Sequence, residues 1–243
     1  MGGFPQLRPL VTSLFHSVFP PACPLCLTTL PARWSAAFCP ECLADMKPLP
    51  SAHCPRCALP FRAGEGSSHL CSQCLHKRPP YSQVFAYGLY EKALRDAIHQ
   101  FKFNRKVALD RSLGRLLDQV INPELDVDLV VPVPLQKNRL KQRSYNQALL
   151  LAREIGRLRF WPVNNHLLLK KRETEAQHDL PAKERKMNLR DAFHVVDDIG
   201  GKRVLLVDDV MTTGATAASC SRVLAERGAA DVSVAVIARA AKW

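Results

Sequence analysis

Two residue patterns in this 243-residue chain could do chemistry. One is Val204-Leu-Leu-Val-Asp-Asp-Val-Met-Thr-Thr-Gly-Ala-Thr216. Its four apolar residues predict a buried strand, ended by the adjacent acids Asp208 and Asp209. The small-residue loop Thr212, Thr213, Gly214, Ala215 and Thr216 then opens a helix. Backbone N–H groups of such a loop, backed by the positive end of the helix, can wrap a phosphate, and the threonine hydroxyls add donors. Gly214 lets the backbone come close. The two acids point the other way, toward ribose hydroxyls, from which carboxylates accept hydrogen bonds, and they can hold Mg²⁺ through its water shell. An ordinary strand–turn–helix with an acidic end is the plainer alternative; Asp-Asp alone would not exceed it, but the whole block is far more specific. It is not a Walker A loop, because Gly200-Gly201-Lys202 precedes the strand instead of following it.

The other pattern is four Cys-x-x-Cys pairs: Cys23/Cys26, Cys39/Cys42, Cys54/Cys57 and Cys71/Cys74. Each turn aims two thiolates at one point, and two turns complete a tetrahedral Zn²⁺ site whose four protein ligands make the metal structural. Two structural zincs are expected, in a segment too poor in apolar residues to fold without them. Similar gaps in the two sets of four suggest one unit written twice. Consecutive pairing gives two zinc ribbons; crossed pairing, with 23/26 joined to 54/57, gives an interleaved fold. Consecutive pairing closes the shorter loops and is preferred. His53, His69 and His76 could substitute as ligands but are not needed, and Cys220 reads as a buried apolar residue.

Composition divides the chain into three regions. Residues 1–22 predict an amphipathic leader helix, with Phe4, Leu7, Val11, Leu14, Phe15 and Val18 at helical spacing. Residues 23–80 form the cysteine module, with His76 to Pro80 as its linker. Residues 81–243 alternate strands and helices. Strands are predicted at Val84–Tyr90, Asp128–Pro134, Pro162–Leu169, Phe193–Val196, Arg203–Asp208 and Val232–Ala238. Helices are predicted at Glu91–Phe103, Val107–Ile121, Tyr145–Leu158 and Thr216–Arg227, and Arg172–Arg190 reads as a long polar loop. This alternation predicts an α/β fold with a mostly parallel sheet covered on both faces, and ligands of such sheets sit at the carboxyl ends of the strands.

The net charge of +12 favours polyanionic partners. Residues 135–190 carry 14 lysines and arginines against 5 acids, most of that excess. A solvated basic face would explain individual residues, but the stripe could also follow a single-stranded DNA backbone. No apolar run is long enough to cross a membrane. With no export signal, eight paired cysteines fit reduced thiolates holding metal in the cytoplasm.

The block Val204–Thr216 resembles the phosphoribosyl-pyrophosphate signature of type I phosphoribosyltransferases. That resemblance implies a sheet of their type, Asp208 and Asp209 on the ribose 2- and 3-hydroxyls, Thr212–Thr216 on the 5-phosphate, and phosphoribosyl pyrophosphate bound with Mg²⁺. Val131-Pro-Val-Pro134, followed by Lys137, Arg139, Lys141, Arg143 and Tyr145-Asn146-Gln147, is similar to the ComF family of competence-related proteins. So are Arg172, Thr174, Gln177, Leu180, Arg185, Asn188 and Phe193, and that family also carries an N-terminal zinc-ribbon module. The family often has glycine where Ser144 stands here. In type I phosphoribosyltransferases the loops corresponding to the basic stretch bind pyrophosphate and close over the site, which makes Arg139, Arg143, Arg172 and Arg185 the candidates. The resemblance implies action on single-stranded DNA beside the DNA-uptake machinery. The alternative is an active phosphoribosyltransferase serving a base or amine, although neither a base-binding hood nor a glutaminase nucleophile is recognisable. Catalysis and oligomeric state stay open.

Overall fold

The computed structural model describes residues 21–31, 34, 36–61, 67–103, 109–136, 140, 143–170 and 192–241. The expected leader helix therefore lies outside the described residues, apart from its last two positions. In chain order the elements are α1 (Pro40–Asp45), α2 (Ser72–His76), β1 (Val84–Leu89), α3 (Lys92–Phe103), α4 (Leu109–Asp118), β2 (Leu129–Pro132), α5 (Gln147–Arg159), β3 (Leu168–Lys170), β4 (Phe193–Val195), β5 (Arg203–Met211), α6 (Ala215–Glu226) and β6 (Asp231–Arg239).

Strands β1, β6, β5 and β2 form a parallel sheet in that order. Its central strands carry the apolar runs Val204–Val207 and Val234–Ala238 because both faces are covered. Val204 and Leu206 of β5, with Val234 and Val236 of β6, share one core with α6, β3, β4 and Cys54, Cys57, Cys71 and Cys74. Leu205, Val207, Ala235 and Ile237 share the other with α3, α4, α5, Cys23 and Cys39. Cys54, Cys57, Cys71 and Cys74 thus pack on one face of the sheet, and Cys23 and Cys39 on the other.

Two expectations need correction. The acids do not end β5, which stays paired with β6 as far as Met211 opposite Arg239. Nor is Pro162–Leu169 a single strand. Val163 makes one parallel bridge to Val130; the Asn164 side chain then accepts from the N–H groups of His166 and Leu167, both at 3.0 Å, and turns the chain. Leu168–Lys170 pairs instead with β4, antiparallel.

The cysteine pairing is consecutive. The thiols of Cys23, Cys26, Cys39 and Cys42 lie within 4.8 Å of one another, and so do those of Cys54, Cys57, Cys71 and Cys74. A tetrahedron of thiolates about 2.3 Å from zinc has edges of about 3.8 Å. Cys26–Cys39 and Cys57–Cys71 each stand at 3.6 Å, so each set fits one zinc. Backbone N–H groups already point at the sulfurs, from Cys39 to Cys23 at 3.5 Å and from Cys71 to Cys54 at 3.4 Å. The two halves repeat in detail: the Cys23 N–H donates to the Thr28 carbonyl and the Cys54 N–H to that of Leu59. Leu27 and Ala58, each following a second cysteine, both take positive φ.

Between the ribbons, the Leu49 N–H donates to the Tyr87 carbonyl at 3.0 Å and the Leu89 N–H to that of Lys47 at 2.9 Å. This segment covers the free edge of β1. Gly88 makes the approach possible, since a β-carbon there would stand 2.3 Å from the Lys47 oxygen. Among the described residues no helix is long and apolar enough to cross a membrane.

The purified chain should carry two zinc ions by elemental analysis, and cobalt replacement should give the intense visible bands of tetrahedral thiolate sites. A stoichiometry of one, or chelation that leaves the thermal transition unmoved, would contradict a structural role for both centres.

Candidate functional site

The carboxyl end of β5 builds the site. Side chains alternate along a strand, so the two adjacent acids separate. Asp208 follows Val204 and Leu206 in the alternation and lines an open cleft with Met211, Thr212, Thr213, Gly214, Ala215 and Thr216. The cleft encloses about 280 Å³, including solvent at its mouth. Asp209 follows Leu205 and Val207 and turns to α3, where its carboxylate meets Lys102 Nζ at 2.7 Å. Both side chains of this pair are largely buried, at 16% and 13% exposure.

The loop from Thr212 leads into α6. Thr212, Thr213 and Ala215 are exposed. Gly214 caps α6 with φ of 77°, a left-handed conformation that costs glycine little. Gly214 has no side chain to cap that helix end; the Ala215 N–H donates to Thr213 Oγ1 at 3.4 Å. A β-carbon at Gly214 would stand 3.3 Å from the Tyr81 hydroxyl.

Burial pushes the Asp208 carboxyl up to about 7, and the charge of Asp209 adds to the rise. The N–H of Asp209, which donates to Asp208 Oδ1 at 2.8 Å, and the more distant Lys102 and Arg143 offset only part of it. A carboxyl tuned near neutrality beside a cleft is characteristic of functional sites.

The motif Tyr145-Asn146-Gln147 holds Lys102 in place. The Tyr145 hydroxyl donates to the Phe101 carbonyl at 2.5 Å and Gln147 Nε2 to that of Lys102 at 3.5 Å, so both clamp the last turn of α3. Asn146 accepts from the Ala148 N–H at 3.1 Å as the cap of α5 and donates to the Val133 carbonyl at 3.0 Å. Ser144 has φ of 67°; this is the left-handed region that glycine enters without the cost a β-carbon brings. Of the four candidate arginines, Arg143 is described. Its guanidinium lies 4.9 Å from the centroid of the Phe103 ring, with Nη1 3.4 Å from Gln147 Oε1. Arg139, Arg172 and Arg185 lie outside the described residues.

Sequence reasoning missed two basic residues. Lys102 sits between two phenylalanines on a helix with an apolar face, and only the folded α3 brings it to Asp209. Arg239 closes an apolar strand yet is 3% exposed. It donates from Nε to the Cys57 carbonyl at 3.0 Å, and from Nη1 to the carbonyls of Met211 at 3.1 Å, Ala240 at 2.8 Å and Thr212.

Comparison with known proteins agrees with this geometry. Residues 14–76 match the double zinc ribbon domain and residues 167–242 the phosphoribosyl transferase domain. The chain is 35% identical over 193 residues to the DNA utilization protein YhgH of Escherichia coli K12, covering 76% of this chain and 83% of that one. It is 32% identical over 212 residues to competence protein F of Haemophilus influenzae, covering 84% and 90%. Among solved structures, the glutamine phosphoribosylpyrophosphate amidotransferase of Bacillus subtilis is 23% identical with a TM-score of 0.43, over 57% of this chain and 30% of that one. Fold and site define a phosphoribosyltransferase-type domain fused to a double zinc ribbon. The chain belongs to the ComF family, with the competence and DNA-utilization proteins it matches.

Lys102→Met should cost roughly 3 kcal/mol, because it strands one carboxylate beside another. Adding Asp209→Asn should recover most of that loss in urea unfolding, and a strictly additive double variant would contradict the pairing.

The raised Asp208 carboxyl carries a pH signature. In the folded chain it holds its proton up to about 7, against 3.8 for an ordinary aspartate. Folding therefore takes up a proton between those values, and this group lowers stability as pH rises from about 4 to about 7. Asp208→Asn should raise the thermal midpoint at pH 8, with a gain that shrinks toward pH 4; a gain independent of pH would contradict the burial.

Proposed function

We propose that the chain binds phosphoribosyl pyrophosphate with Mg²⁺ at the Asp208–Thr216 cleft, and that it acts with single-stranded DNA in cytoplasmic steps of DNA uptake or utilisation. The observation that carries the first half is the open cleft whose wall is the Thr212–Thr216 loop and whose floor holds Asp208. A 5-phosphate there would meet loop amides and the start of α6. The ribose hydroxyls would face Asp208, which would hold Mg²⁺ through its water shell to offset the ligand's charge, while Asp209 stays paired with Lys102. Arg143, and Arg139, Arg172 and Arg185 by the family resemblance, would offset the pyrophosphate charge.

Support for the second half comes from the relatives, whose names are DNA utilization protein and competence protein, and from the basic stretch 135–190. Neutralised phosphates would make DNA affinity fall steeply with salt. A second reading is transfer of the phosphoribosyl group to a base or amine, for which Asp208, its carboxyl raised by burial to about 7, would be placed to act as a general base near neutrality.

Calorimetry should detect phosphoribosyl pyrophosphate binding that needs Mg²⁺ and is abolished in Asp208→Asn/Asp209→Asn. The same double variant should still bind single-stranded oligonucleotides with the wild-type salt slope. Pyrophosphate release with a panel of bases and amines separates the two readings, since turnover lost in the double variant would establish the enzyme. Absence of Mg²⁺-dependent binding would overturn the proposal.

A further inference from the structure

Arg239 is buried, and its partners are all backbone carbonyls; among the described residues no carboxylate pairs with it. A buried cation is costly unless a negative charge lies close. A four-thiol cluster and the Thr212–Thr216 loop flank this one. On one side Nε binds the carbonyl of Cys57, a member of the second four-cysteine set. Four thiolates around one Zn²⁺ carry a formal charge of about −2. On the other side Nη1 binds the carbonyls of Met211 and Thr212, where the anion loop begins.

Those two carbonyls decide which way the loop faces. No peptide bond in the described chain is cis. In a trans peptide the C=O of one residue and the N–H of the next point in opposite directions. With the Met211 and Thr212 oxygens turned in to the guanidinium, the N–H groups of Thr212 and Thr213 must turn out, away from Arg239. Tyr81 supports the same loop from behind. It is buried in one core with Cys54, Cys57, Cys71 and Cys74, and its hydroxyl stands 3.3 Å from where a β-carbon of Gly214 would be.

We propose that Arg239 is the positioning residue of the anion loop, and that through Cys57 it ties the loop to the second zinc centre, so that filling the centre and filling the cleft strengthen each other. Resting as it does on the phosphoribosyl reading of the cleft, the coupling names a regulation of that site: zinc lost from the second ribbon loosens the loop, and a bound phosphoryl ligand retains the zinc. Such linkage is reciprocal by thermodynamic necessity. Lysine cannot replace the guanidinium here, because one ammonium does not span carbonyls on two sides as a planar fork does.

The test uses the full-length, zinc-loaded protein and its Arg239→Lys and Arg239→Ala variants, with amide hydrogen exchange, calorimetry and zinc release to a chromogenic chelator as readouts. In both variants the amides of residues 212–216 should exchange faster, while those of β1 and β2 keep their wild-type protection. Affinity for phosphoribosyl pyrophosphate with Mg²⁺ should fall about tenfold or more, and millimolar guanidinium should restore part of it in Arg239→Ala. In the wild type, saturating ligand should slow release of one of the two zincs several-fold, an effect absent from Arg239→Lys. If Arg239→Ala does not fold, Arg239→Lys carries the test alone. Wild-type exchange and affinity in Arg239→Lys would overturn the positioning role, and ligand binding that leaves zinc release unchanged would overturn the coupling. If the wild type binds no phosphoribosyl pyrophosphate, the reading of the cleft fails, and the positioning of the loop is then decided by amide exchange alone.

Discussion

Pairing of β5 with β6 out to Met211, opposite Arg239, is the contact on which the site depends. Because the ladder continues past the acids, strand alternation holds through Asp208 and Asp209, and the two carboxylates leave on opposite faces of the sheet. One lines the cleft and the other is held by Lys102. Where the ladder stops, the chain turns through Gly214 into α6, and helix start, loop amides and Asp208 converge on one cleft. Had β5 ended at the acids, nothing would set the direction of either side chain.

The zinc ribbons belong to the same construction. Cys23 and Cys39 pack into the core of one sheet face with α3–α5, and Cys54, Cys57, Cys71 and Cys74 into that of the other with α6 and the loop's neighbours Met211 and Ala217. The segment between them closes the β1 edge. A sheet of four parallel strands with a bare edge strand would invite pairing with another chain; here the connection between the ribbons covers that edge.

Much of this was legible in the sequence. Cys-x-x-Cys spacing located all eight ligands, since thiolate chemistry is local to a turn. Apolar periodicity placed the helices and central strands within a few residues. The loop Thr212–Thr216 was visible because tiny residues between a strand and a helix have few other uses. What escaped depended on partners distant in sequence. Lys102 meets Asp209 across 107 positions and Arg239 meets Cys57 across 182, and no local pattern encodes either contact. Asn164 broke a predicted strand through side-chain bonds that an apolar count does not register. The positive φ of Ser144 is a backbone property that no apolar pattern encodes.

The account rests on outward-facing loop amides receiving a phosphate. Amide-resolved NMR of the full-length, zinc-loaded protein, titrated with phosphoribosyl pyrophosphate and Mg²⁺, tests this directly. The N–H resonances of Thr212 through Thr216 should move the most and shift downfield as they donate to phosphate oxygens. Resonances that stay fixed there while others respond, or no response at saturating ligand, would contradict the account.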